Sequence, residues 1–103
     1  MNKFYGFLGI CAKAGTVASG AFAVEKAIKS GKATLVIVAE DASENATEDY
    51  KKLCNGYDVK LMIIGSRQLL GKSIGKDERV AIAITDDKMS ETLIEKAKEL
   101  SED

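Results

Sequence analysis

Apolar positions along the chain alternate between a helical and an extended period, and their order predicts a layered fold. Phe4, Phe7, Leu8 and Cys11 follow the i, i+3, i+4, i+7 spacing of one helical face, which Gly15 can close in the left-handed conformation. A short link, TVA, leads to Ser19 and Gly20 as the cap of a second helix. Its Val24, Ala27 and Ile28 face inward and its stop is Gly31. The run TLVIVA, residues 34–39, is β-branched and apolar on both faces, so it predicts a central strand covered by helices on either side. Asp41 to Ser43 supply the cap of a third helix, ENATEDYKKLC, which Gly56 is expected to close. VKLMII, residues 59–64, is the next strand. SRQLLGKSI, between Gly65 and Gly75, predicts a short helix capped by Ser66. RVAIAIT is a further strand, and Met89, Leu93, Ala97 and Leu100 form the inner stripe of a last helix. Helices alternating with buried strands predict the α/β class, arranged as a three-layer α/β/α sandwich.

Composition narrows the possibilities. The 103 residues make one domain, 1–103, and 46% hydrophobic content suffices for a single core. Repeats, low-complexity tracts and linkers are absent, and the acidic end SED is expected to fray. No apolar run reaches eighteen residues, and MNKFYGFLGICAKAG is too short and amphipathic for a signal peptide or span. A cytoplasmic, soluble and monomeric protein is expected. Cys11 and Cys54 lie far apart without CxxC spacing, and the chain has no histidine, so the pattern predicts buried free thiols rather than a metal site. The missing histidine also removes the usual general base and triad partner. Neither catalytic residues nor a cofactor are expected.

The net charge of −1 conceals four blocks of alternating sign. Residues 1–39 carry +4, residues 40–58 carry −4, residues 59–76 carry +4 and residues 77–103 carry −5. If the two basic blocks meet, a near-neutral protein gains a positive face able to neutralise phosphates; otherwise the blocks are ordinary solvated surface.

Gly65 and the later Gly71-Lys72-Ser73 invite a phosphate-loop reading, but five residues separate the two glycines where GxxxxGK(S/T) has four. The insert also carries Leu69 and Leu70, whose side chains favour a core over a curled loop. A nucleotide enzyme is therefore disfavoured.

Two other features suit RNA. The second helix opens with Ser19, Gly20, Ala21 and Ala23, small groups that leave its free N–H donors accessible to an anion, and then places Lys26 and Lys29 on one stripe. Arg67, Lys72, Lys76 and Arg79 surround the short helix and its exit loop, which leads into Val80; that valine either packs under an extruded base or belongs to the core. A protein–protein adaptor remains the alternative class, since the same sandwich can offer its helices to a partner and the acidic last helix suits a basic one.

SGAFAVEKAIKSGKATLVIVAEDAS followed by SRQLLGKSIGKDERVAIAITD resembles the bacterial YlxQ branch of the kink-turn-binding ribosomal-protein family, over about residues 6–86. The resemblance implies an α/β/α sandwich with a small mixed sheet and a non-enzymatic role. It implies structured RNA as the partner, a kink-turn or similar bend, with the ribosome as a candidate setting. The RNA would lie against the start of the second helix and loops at one end of the sandwich. Gly20 and Lys26 match the first and last members of the family's GxNExxK segment. Arg67 falls where relatives carry a basic residue, residues 76–80 (Lys76, Glu78, Arg79 and Val80 among them) fall where relatives have the loop against the flipped base, and Ser43 lies where relatives place a residue near that nucleotide. Phe22 and Ala23 stand where the family has Asn and Glu. That exchange removes base-edge hydrogen bonds and leaves phosphate contacts. Phe22 either stacks on a base or turns inward as core.

Overall fold

The computed structural model describes residues 2–102, which form five helices around a four-stranded sheet. In chain order these are α1 (Lys3–Lys13), β1 (Val17–Ser19), α2 (Ala21–Lys29), β2 (Leu35–Val38), α3 (Glu44–Gly56), β3 (Lys60–Ile63), α4 (Arg67–Ser73), β4 (Ala81–Ile84) and α5 (Asp87–Glu102). The sheet order is β1-β4-β2-β3. β4 runs antiparallel to both neighbours, pairing Ser19 with Ile82 and Val38 with Ala81, while β2 and β3 run parallel with Val38 opposite Ile63. The sheet is mixed.

The two central strands, LVIV and AIAI, are buried at every position because side chains on both faces are covered. On one face Val36, Val38, Ala81 and Ala83 pack with Val24, Ala27 and Ile28 of α2 and Cys54 of α3. On the other, Leu35, Ile37, Ile82 and Ile84 pack with Phe4, Leu8 and Cys11 of α1, Leu70 of α4, and Leu93 and Ala97 of α5. The alternation of strand side chains therefore divides the core into two clusters, giving the α/β/α layering. Both cysteines are buried free thiols, and burial raises both above the usual thiol range. No helix among the described residues is long and apolar enough to cross a membrane.

Several boundaries depart from the sequence expectation. Val17 and Ala18 of the TVA link belong with Ser19 to β1, an edge strand held by β4; a three-residue strand carries too little pattern to be read locally. Gly56 is the last residue of α3 and keeps a negative φ, and the left-handed residue beyond it is Asp58, at φ 57°. A short acidic side chain tolerates that conformation. Gly71 lies inside α4, where a Cβ would meet the Asp77 carbonyl oxygen, so the glycine lets the following loop fold back over the helix. The glycine that resembled part of a phosphate cradle is thus a packing device. The fraying expected at the acidic end falls on residues 101–103: α5 continues through Glu102, and Asp103 lies outside the described residues.

Candidate nucleic-acid interface

Strand directions bring four distant segments to one end of the sheet. The C-terminal ends of β1, β2 and β3 and the N-terminal end of β4 lie side by side, as the pairs Ser19–Ile82, Val38–Ala81 and Val38–Ile63 require. Residues 19–23, 39–43, 65–67 and 76–80 therefore share a rim. Direct contacts close it. The Arg79 guanidinium donates to Ser19 Oγ at 3.2 Å and to the backbone carbonyls of Asp77 and Glu78 at 3.2 and 3.0 Å. The Arg67 N–H donates to Asp41 Oδ1 at 2.9 Å, and Arg79 N–H donates to the Arg67 carbonyl at 3.0 Å.

Ser19, expected in the cap of the second helix, is instead the last residue of β1 and a seat for Arg79. Gly20 is the N-cap of α2, at φ 90° and ψ 152°, a conformation open almost only to glycine. No side chain caps this helix, and its first backbone bond runs from Val24 N–H to the Gly20 carbonyl. The N–H groups of Ala21, Phe22 and Ala23 point out of the helix start, which also carries the positive end of the helix dipole. Ala21 is exposed and Ala23 half-buried.

Phe22 is 82% exposed, which excludes the inward alternative. With Glu25, Lys26, Lys29 and Ser30 it lines an open cleft of about 460 Å³ along the outer face of α2. Lys26 is the sixth residue of α2, about 8 Å along the axis from its start at 1.5 Å per residue. Lys29 is a turn further from the rim and bonds Glu25 at 2.6 Å. That hydrogen bond, with the carboxylate's charge, raises the ammonium above its ordinary value. Among the described residues Lys26 has no carboxylate within 4 Å.

Ser43 serves as the α3 cap, accepting from Ala46 N–H at 3.1 Å. Val80 is half-buried and its carbonyl accepts from Ala39 N–H, so it is held at the rim rather than enclosed in the core. Arg67 lies between Asp41 and Glu78, at 3.5 and 3.7 Å from its Nε. The backbone N–H of Arg67, and then its charge, holds the Asp41 carboxyl below the usual carboxylate range. Arg67 and Lys26 both lie towards the shared end, but on helices of opposite layers. The basic blocks converge there interleaved with Asp41, Asp77 and Glu78 rather than as a uniform positive face. Sequence reasoning missed the Asp41–Arg67 tie, for which an acid in the turn after β2 and a cation 26 residues later carry no local signal.

The fold and this rim define a class, a small α/β/α domain whose loops gather at one end of a mixed sheet, and comparison with known proteins places it further. A structure titled as a protein of unknown function from Bacillus halodurans superposes with a TM-score of 0.89 at 34% identity, covering 93% of this chain and 97% of that one. The 15.5kD RNA binding protein of Giardia lamblia superposes with a TM-score of 0.75 at 24% identity, covering 94% of this chain and 83% of that one, a likeness of fold. The RNA-binding protein YlxQ of Bacillus subtilis (strain 168) is 39% identical over 92 residues, 89% of this chain and 92% of that protein. The ribosomal protein L7Ae/L30e/S12e/Gadd45 family matches residues 2–94, and the chain belongs to that family.

Proposed function

We propose that this chain is a non-enzymatic RNA-binding protein of the cytoplasm that holds a kink-turn or a similarly bent structured RNA, with ribosomal RNA as its setting. The observation that carries the reading is the convergence of residues 19–23, 39–43, 65–67 and 76–80 on one rim, closed by the Arg79–Ser19 bond. The uncapped start of α2 offers three N–H donors to a phosphodiester, and Lys26 adds positive charge a turn beyond. Phe22 supplies an exposed ring on which an unpaired base stacks in place of the amide contact implied for relatives. Residues 76–80, braced by Arg79, form the wall against an extruded base. In this reading the protein stabilises one RNA shape and no bond is made or broken.

The similarity to a protein named as RNA-binding supports the class of ligand. The test is fluorescence anisotropy with a labelled kink-turn hairpin and a straight duplex of equal length across a salt series. Preference for the hairpin, with affinity falling steeply as salt rises, is expected. Equal affinity for both removes the bend from the reading. No RNA binding at low salt removes the reading itself and favours the adaptor alternative.

A further inference from the structure

Beyond the rim, the β1 edge of the sheet carries a concavity that the reading above does not use. It is a groove of about 540 Å³ between the last turn of α1, strand β1 and the end of α4. Its walls include Lys13, Lys72 and Lys76, its floor includes Gly9 and Val17, and no carboxylate lines it. None of the three lysines has a carboxylate within 4 Å among the described residues. At the rim, by contrast, Arg67 is paired with both Asp41 and Glu78. Lys72 and Lys76 also border a neighbouring pocket that holds Asp77 and Glu78, so the acids of the rim loop lie on the far side of these lysines and outside the groove itself.

The topology links the two. Ser19 lines the groove and also accepts the hydrogen bond from Arg79, so the groove opens onto the rim at that residue. From there it follows β1 away from the rim, since α1 leads into β1 from the opposite end of the sheet. Close packing shapes the floor: a Cβ on Gly9 would lie 2.9 Å from the Ser73 carbonyl oxygen, so α1 and α4 approach as only glycine permits. The Lys76 N–H is bound to the Gly71 carbonyl at 2.8 Å, which anchors the backbone of one of the three lysines.

We propose that this groove is a second binding site, for the phosphodiester backbone of the RNA that flanks the bend, so that a strand leaving the rim continues past Ser19 along the β1 edge to Lys13. The proposal rests on the RNA reading of the rim and extends it. Three ammonium groups that line one groove and are held in no ion pair among the described residues suit a chain of phosphates as point charges, with no demand on sequence. A peptide adding a strand to β1 fits less well, because β1 has only three residues and helix ends form much of the floor.

The test compares a kink-turn hairpin trimmed close to the bend with the same hairpin carrying a longer flank on each arm. Binding of each is measured over a salt series for the wild type and for the double variants Lys13→Glu/Lys72→Glu and Lys13→Gln/Lys72→Gln. Lys76 is left intact because it belongs to the rim loop. Lys13 and Lys72 are exposed, and an unchanged Tm confirms the fold. The glutamate variant is expected to lose about tenfold or more on the long RNA, with a salt slope shallower by about 2, and to match the wild type within about twofold on the trimmed RNA. The glutamine variant should lose less, in the same pattern. Equal losses on both RNAs, or none on either, overturn the proposal and leave the lysines as guards of an open sheet edge. It is also overturned if long-RNA affinity persists while binding of a polyglutamate peptide is lost, which assigns the groove to a protein. Failure of the wild type to bind either RNA removes the rim reading and this site with it.

Discussion

Helices α2 and α4 begin at the same rim, in opposite layers of the sandwich, yet their first turns are built differently. The start of α4 is closed twice: Ser66 Oγ accepts from Leu69 N–H at 3.1 Å, and Asp41 accepts from Arg67 N–H at 2.9 Å. The start of α2 has Gly20 and no side-chain cap. Asn2, Ser43 and Asp86 cap α1, α3 and α5, so among the described helices only α2 lacks one. A missing cap typically costs ~1 kcal/mol. A helix start left open where five could be closed is the one suited to a ligand's anion, whereas a capped start has its donors occupied by the protein itself. The same contrast separates the cations. Arg67 is clasped by two acids, while Lys26 has no carboxylate within 4 Å among the described residues.

Breaking the open side should have the largest effect. Lys26→Glu is expected to abolish the gel shift of a kink-turn hairpin while the Tm stays within a degree or two, because the side chain is exposed. Retained binding would count against the α2 surface. Gly20→Val comes next and acts on both fold and binding. Within the protein a Cβ at Gly20 meets nothing within 4 Å, so the added bulk can obstruct only a bound RNA. The harm to the fold comes from forcing a β-branched residue to φ 90°, and a loss of about 1–3 kcal/mol in urea denaturation is expected. If stability is unchanged, the conformation is not required. Phe22→Ala should weaken RNA binding by about 1–3 kcal/mol if the ring stacks one base, with no change in stability since the ring is already in water. Phe22→Tyr should restore most of the affinity, and identical titrations for all three proteins would discard stacking.

Loosening the clasped side should do least. Arg67→Ala is expected to lower hairpin affinity and the salt slope less than Lys26→Ala does, because two acids already answer its charge. A larger effect at Arg67 would invert the comparison. The clasp also sets a pH dependence. The Asp41 carboxyl is held below its unfolded value, so its contribution is fully present above about pH 4 and is lost as pH falls through the depressed folded value. Asp41→Asn should flatten that part of the acid-unfolding profile. The tie is exposed, so the change in midpoint should be small.

What the chain's own pattern determined is the inventory of layers. Runs such as LVIV and AIAI are apolar at every position, and a strand of that kind must be covered on both faces. Apolar stripes at helical spacing supplied the covers, and Ser43, Ser66 and the glycines after α1 and α2 marked their ends through local chemistry. The basic segments were legible for the same reason, being contiguous.

Tertiary structure alone decided how these pieces meet. Strand β1 exists because β4 pairs with it, and the left-handed turn after the third helix is made by Asp58 rather than by Gly56, the helix's last residue. Phe22 could be assigned to water only once Val24, Ala27 and Ile28 were seen to fill the inner face of α2. Arg79 finds Ser19 across 60 residues, and Asp41 finds Arg67 across 26. Local periodicity records which side of an element is apolar, but strand order and direction settle which ends become neighbours. The electrostatic character of the rim and of its lysine-lined flank depends on those neighbours.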